Sequence, residues 1–183
     1  MTVAQPQTDN LILAALAADE RERLAGGAQM VSLELTQVLF RPGDDIRHVY
    51  FLLNCIVSLL TELEDGGGME VGLVGREGMV GISVILGGDE TKVATVQASG
   101  AAWRVSAELV REEFRRGGKF QRLVLRYTHA LMAQISQSVV CNARHVIPNR
   151  LARWLLMYND RLSRDEFMLT HEFMSAMLGV RRS

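Results

Sequence analysis

The sequence predicts an α+β protein built around a small antiparallel β-roll, jelly-roll-like in form and flanked by helices. Short β-rich runs, separated by turn residues, occupy residues 29–105. Helical periodicity replaces them from residue 107 onward. Six or more short strands, with no helix of comparable length between most of them, favour an antiparallel roll or barrel.

The roll is predicted within residues 11–118, after a flexible polar tail over residues 1–10. Two short helices precede the strands, and a short amphipathic helix closes the unit. The helices are predicted over Leu11–Leu16, Asp19–Leu24 and Ala107–Arg116. The strands are predicted over Met30–Leu35, Val38–Phe40, His48–Leu53, Ile56–Leu63, Met69–Val74 and Val93–Val105.

A long helix is predicted over residues 119–142, about six turns in length. Its apolar positions repeat every 3.5 to 3.6 residues and cover more than one face. Such a helix can pack on its own sheet and on the same helix of a second copy, as in a two-stranded coiled coil. The alternative is that one chain buries both faces. The predicted dimer interface comprises Phe120, Leu123, Tyr127, Leu131 and Ile135.

Residues 143–183 predict an incomplete helix-turn-helix. Pro148 opens a helix that extends from Asn149 to about Leu162. Further on, Thr170 can cap another helix, and Gly179 supplies the turn before Val180–Ser183. A recognition helix needs about three turns to lie in the major groove. Only Val180–Ser183 follow the turn, so this chain is expected to bind DNA weakly or not at all.

Charge is distributed unevenly along the chain. Residues 141–183 hold seven Arg against four acidic residues, a balance of +3, and residues 1–140 hold 13 basic against 17 acidic residues, a balance of −4. The asymmetry suits an acidic sensor joined to a basic DNA reader. With no signal peptide or long apolar run, a cytoplasmic protein without a membrane partner is expected.

Enzymatic chemistry is not predicted. The sequence has no nucleophile elbow, phosphate loop or dinucleotide fingerprint. Cys55 and Cys141 are far apart in apolar sequence and predict buried thiols, not a metal site or disulfide.

The order of these features resembles the Crp/Fnr family of bacterial transcription regulators. The resemblance depends on Arg41–Asp44, Gly75–Ile82, Arg150–Leu156 and Leu169–Arg182, in that order. It implies a cyclic-nucleotide-binding-domain fold, a homodimer joined by the long helices, and a winged helix-turn-helix. It also implies DNA as the partner of the full-length protein, and RNA polymerase as a further candidate partner.

Within that family, the effector pocket is expected at Gly81, Ile82, Ser83, Lys92, Val93 and Ala94. The resemblance places Ile82 where a ribose-binding Glu would stand, Lys92 at the phosphate-binding Arg and Val93 at the following hydroxyl residue. Because a carboxylate and a guanidinium fork suit those ligand groups, their replacement predicts that cAMP binding is lost or weak. No cofactor is predicted, and the effector is left unidentified.

The resemblance also implies which residues approach DNA. Thr170 and His171 would meet a phosphate at a helix N-terminus. Arg181, Arg182 and Ser183 would begin the recognition helix, with Arg182 at a guanine-reading position. The alternative function is a small-molecule-binding or interaction module that uses the roll without DNA.

Overall fold

The computed structural model describes residues 10–62, residues 68–162 and Met174. The helices are α1 (Leu11–Ala14), α2 (Ala18–Ala25), α3 (Ser83–Leu86), α4 (Ala107–Arg116), α5 (Gly118–Arg144) and α6 (Ile147–Asn159). The strands are β1 (Ala28–Leu33), β2 (Val38–Phe40), β3 (His48–Leu52), β4 (Ile56–Glu62), β5 (Gly68–Val74), β6 (Met79–Val80), β7 (Val93–Ala98) and β8 (Gly100–Ser106).

The strands form two four-stranded sheets that face each other. The strand order is β1-β8-β3-β6 in one sheet and β2-β7-β4-β5 in the other. Every pairing is antiparallel. This architecture, with its flanking helices and the long α5, confirms the predicted α+β roll. The predicted helix-turn-helix after Leu162 lies outside the described residues, apart from Met174.

Alternation along the central strand β4 divides its side chains between two apolar clusters. Val57 and Leu59 belong to the main core, which lies between the sheets and extends to α5. Ile56 points the other way and joins a second cluster on the outer face of this sheet. Helix α6 covers that face through Trp154 and Tyr158, which are both buried.

The segment predicted as one strand over Val93–Val105 is two strands, β7 and β8, which belong to different sheets. The chain changes sheets at Ser99–Gly100. The backbone of Asn54 lies so close to Gly100 that a Cβ there would approach the Asn54 carbonyl oxygen to 2.7 Å. The Asn54 side chain then accepts a hydrogen bond from the Ala101 N–H at 2.7 Å, which fixes this corner.

A buried carboxylate from another helix caps the N-terminus of α5. Glu20 accepts hydrogen bonds from the backbone N–H groups of Lys119 at 2.7 Å and Phe120 at 3.0 Å. Burial alone would raise the pKa of Glu20, but these bonds and one from Ala17 outweigh it and lower the pKa. The negative charge also stabilises the positive end of the helix dipole. Helix α5 is thereby held against the N-terminal helices.

Candidate effector pocket

The candidate pocket starts at a tight turn between β6 and α3. Gly81 occupies this turn with φ of +101°, a conformation that strongly favours glycine. A Cβ at this position would also lie 3.4 Å from the Val49 side chain. The turn directs Ile82 and the start of α3 toward the space beneath α5.

A cavity of about 140 Å³, hereafter the effector pocket, lies between the roll and α5. Its polar lining consists of Glu90, Lys92 and Thr128, and Gly81 forms part of the wall. Nine apolar residues complete the lining: Phe40, Leu59, Met79, Val80, Ile82, Leu86, Leu131, Met132 and Ile135. The pocket is therefore an apolar space with few polar groups, as is usual for small-molecule sites.

The structure brings together only part of the predicted pocket. Gly81, Ile82 and Lys92 line it. Ser83 does not line the cavity itself, and its hydroxyl donates to the pocket residue Glu90 at 2.9 Å. Val93 and Ala94 are almost fully buried in β7 and do not line the cavity. These two side chains point to opposite faces of β7 and both are buried, so neither borders the cavity.

Glu90 is a pocket residue that the sequence did not single out. It is 9% exposed, and both of its carboxylate oxygens are occupied. Oε1 accepts from the backbone N–H groups of Thr91 and Lys92, each at 3.0 Å, and Oε2 accepts from Ser83. The Lys92 ammonium instead donates to the Thr91 hydroxyl at 3.0 Å, at the exposed rim. The pocket wall therefore carries a buried carboxylate whose donors come from its own loop and from α3.

The α5 wall of the pocket is fastened to the roll by Tyr127. Its hydroxyl donates to the Met79 carbonyl oxygen at 3.0 Å, and burial raises the pKa of this hydroxyl well above its usual value. The neighbouring Thr128 hydroxyl donates to the Val124 carbonyl oxygen within α5 at 2.8 Å. Both polar groups of this wall are therefore already paired.

The structure places the five residues of the predicted dimer interface on the side of α5 that faces the roll. Phe120, Tyr127 and Leu131 are buried in the core of their own chain. Leu123 and Ile135 are partly buried against the same core. Phe120, Tyr127 and Leu131 therefore pack within their own chain, whereas Leu123 and Ile135 keep part of their surface exposed.

A different apolar face of α5 is exposed. Leu125, Met132 and Val139 recur every seven residues and are 49%, 63% and 61% exposed. We call these three residues the exposed stripe. The seven-residue repeat places them on one side of the helix, in the pattern of a coiled-coil seam.

At the junction of the roll with α6, Glu70 lies buried between two donors. Its carboxylate accepts from the Ser58 hydroxyl at 2.6 Å and from the Trp154 indole N–H at 2.9 Å. Burial raises the pKa of Glu70 to about 7, although these hydrogen bonds and Arg161 and Arg153 act in the opposite direction. The protonation state of this carboxyl group is therefore linked to the docking of α6.

The predicted DNA-contacting residues Thr170, His171, Arg181, Arg182 and Ser183 lie outside the described residues. Within the described ranges, no helix is long and apolar enough to cross a membrane. The same part of the chain contains no cluster of three or more His, Cys, Asp or Glu side chains suited to a metal ion.

The roll is similar to a known protein domain. Residues 30–116 match the family model of the cyclic nucleotide-binding domain. A search of curated protein sequences gave no match.

The chain also resembles solved structures of bacterial proteins, two of which are described as regulators. One is CLP of Xanthomonas campestris, described as a c-di-GMP-responsive global regulator: TM-score 0.69, 15% identity, 90% of this chain and 86% of that one. A second is described as a putative transcriptional regulator of the Crp/Fnr family from Eubacterium rectale. It has a TM-score of 0.72 and 13% identity, and the match covers 93% of this chain and 81% of that one. A third is FixK2 of Bradyrhizobium japonicum. It has a TM-score of 0.70 and 15% identity, and the match covers 84% of this chain and 78% of that one. These likenesses confirm the predicted fold.

Proposed function

We propose that the full-length protein, whose roll matches the cyclic nucleotide-binding domain and whose fold is that of Crp/Fnr-type regulators, controls transcription as an effector-sensing homodimer. The observation that carries the proposal is the arrangement of three parts in one chain: a roll with a pocket, a long helix that forms one wall of that pocket, and a further helix docked on the roll. A change in the pocket would thus reach α5 directly. It would reach α6 through strand β4, whose Leu59 lines the pocket and whose Ile56 packs in the cluster that holds α6.

Dimerisation is supported by the exposed stripe. Three large apolar side chains at heptad spacing on a 27-residue helix favour a second copy of α5 as the partner. In this arrangement one face of α5 packs in the core of its own chain, and the other face packs on α5 of the second copy.

DNA binding is supported by the basic balance of residues 141–183 and by the resemblance at Thr170, His171, Arg181 and Arg182. We expect Arg182 to read a guanine, which contributes about 1–3 kcal/mol of discrimination. Ser183 would lie beside it on the recognition helix, and RNA polymerase would be a further partner of the DNA-bound regulator.

The test of DNA binding uses protein expressed from the complete gene. DNA fragments selected from a random pool are retested with the wild type and with Arg182→Ala in a gel-shift assay. We expect Arg182→Ala to lose about tenfold or more in affinity for the selected sequence. Arg115→Ala, at an exposed position in α4, is the matched control and should bind like the wild type. If the wild type retains no fragment in a sequence-dependent manner, the proposal fails and the roll acts as a ligand-binding module without DNA.

Cyclic nucleotides are not expected to be the effector. The pocket wall presents Ile82 and the carboxylate of Glu90, and Lys92 is engaged at the rim. Calorimetric titration with cAMP and cGMP should therefore show no binding in the micromolar range. A micromolar dissociation constant for either nucleotide would contradict this part of the proposal.

A further inference from the structure

The chemistry of the effector pocket indicates the class of molecule that it accepts. We propose that the pocket binds a small, uncharged, apolar molecule of about six to eight non-hydrogen atoms, and that the carboxylate of Glu90 excludes anionic ligands from it. This inference rests on the proposed sensing role of the roll.

The size of the pocket sets the first limit. Drug-sized ligands usually occupy pockets of about 300–1,000 Å³. A volume of about 140 Å³ is well below that range. It is close to that of an engineered apolar cavity of about 150 Å³ that binds benzene or xenon. A molecule the size of a single substituted ring therefore fits without rearrangement.

The lining sets the second limit. Phe40, Leu131 and Ile135 are among nine apolar residues that face the space. The Thr128 hydroxyl is already paired within α5. A ligand in contact with this wall gains dispersion and apolar burial, whereas a polar group placed there would lose its water without gaining a partner.

Glu90 sets the third limit, which concerns charge. The hydroxyl of Ser83 and the backbone N–H groups of Thr91 and Lys92 all point at its carboxylate. These are the donors that an anionic ligand would need, and a charged group of the chain already occupies them. An incoming carboxylate or phosphate would also meet a like charge with little solvent screening.

Lys92 does not reverse this preference. Among the described ion pairs, none joins its ammonium group to Glu90. The ammonium is instead bonded to Thr91 at the exposed rim. The negative charge therefore remains the dominant charge of the inner wall.

The test compares three probes of nearly equal size: toluene, benzoate and benzylammonium. Binding is followed by NMR of the methionine methyl groups, because Met79 and Met132 line the pocket and report on its occupancy. We expect saturable shifts of both methyl groups with toluene, and at least tenfold weaker binding of benzoate. Benzylammonium should bind more tightly than benzoate, because it carries the opposite charge.

Glu90→Gln is the informative variant, since glutamine keeps a hydrogen-bond acceptor and removes the charge. In the wild type the affinity for toluene exceeds the affinity for benzoate, and we expect Glu90→Gln to reduce the ratio of these two affinities at least fivefold. Its affinity for toluene itself should stay within twofold of the wild-type value. Ile82→Phe should fill the space and weaken toluene binding, with circular dichroism verifying that the variant folds.

Three results would overturn the inference: no methyl shift with toluene, benzoate binding as tightly as toluene, or an unchanged ratio in folded Glu90→Gln. This experiment measures binding to the pocket without DNA. Its failure is therefore distinguishable from a failure of the proposed regulatory function, which the gel-shift assay measures.

Discussion

At the scale of single residues, the burial of Glu70 makes the stability of the protein depend on pH. Burial raises its pKa from an ordinary value of 4.5 to about 7. The folded protein therefore holds a proton in a pH range in which the unfolded chain has released it. The contribution of this group to stability is greatest below pH 4.5 and is lost as the pH rises through the folded-state pKa.

The first prediction follows from this linkage. Between about pH 5 and 7, we expect Glu70 to lower the free energy of unfolding by at most about 1.4 kcal/mol per pH unit. Urea denaturation across this range, with wild type and Glu70→Gln in parallel, isolates the effect because glutamine does not titrate. The stability difference between the two proteins should change steadily with pH. A difference that is constant from pH 5 to 8 would contradict the prediction.

A second residue-scale prediction concerns Gly78, which lies directly against the ring of Tyr127. A Cβ at position 78 would overlap the ring and would approach the hydroxyl oxygen to 2.7 Å. We expect Gly78→Ala to cost about 1–3 kcal/mol, because the Tyr127 ring is buried and cannot move freely. Gly26→Ala is the control, since the nearest atoms to its Cβ would be 3.6 Å away. It should leave the urea midpoint unchanged or raise it slightly.

At the scale of elements, helix α5 shows what periodicity can and cannot predict. The repeat of apolar residues correctly indicated a long helix, and its observed span of Gly118–Arg144 differs little from the predicted one. The same repeat fits two apolar faces. Which face packs on the roll depends on partners far along the chain, such as the Met79 carbonyl that receives the Tyr127 hydroxyl. This long-range contact has no local sequence signal.

Among the pocket residues, too, one could be predicted from the sequence and another could not. The place of Gly81 in the pocket wall was predictable from the family resemblance, and the residue forms a tight turn with a positive φ. The role of Glu90 was not, because its partners are two backbone N–H groups and a serine seven residues earlier. A single acidic residue in a polar loop usually indicates only a solvated side chain.

The third prediction tests the exposed stripe. Val139→Asp places a charge at the C-terminal end of the exposed stripe, and we expect dimer affinity to fall by about tenfold or more in sedimentation equilibrium. Met30→Asp, on β1, replaces an apolar side chain that is 53% exposed and lies off the stripe. It should leave the dimer intact. A wild type that sediments as a monomer at micromolar concentration would refute the proposed dimer.

At the scale of the whole molecule, the chain has two apolar clusters of unequal size. The larger lies between the sheets and α5. The smaller joins the outer face of β4 and β5 to α6 and includes Trp154, Tyr158 and Met174. The rings of Trp154 and Tyr158 are 4.6 Å apart, between their centroids. Because the smaller cluster contains few residues, α6 should detach from the roll more easily than the roll unfolds.

The fourth prediction uses this difference. Trp154→Ala removes a buried ring and a donor to Glu70, and we expect the amide protection of α6 to fall by up to about 3–5 kcal/mol. Hydrogen exchange in β3 and β8 should change little. Leu156→Ala, at a side chain that is 67% exposed on the same helix, is the control. Equal loss of protection in the strands would mean that the two clusters unfold as one unit.

Met132 lies in the wall of the effector pocket and also in the exposed stripe. A molecule that displaces this side chain alters the surface that a second copy would meet. Thermodynamic reciprocity then requires pairing to alter the affinity for the molecule by the same factor. If the chain pairs and binds a ligand as proposed, dilute and concentrated solutions of it will respond to different amounts of the same ligand. The abundance of the chain in the cell would then set the threshold of its response.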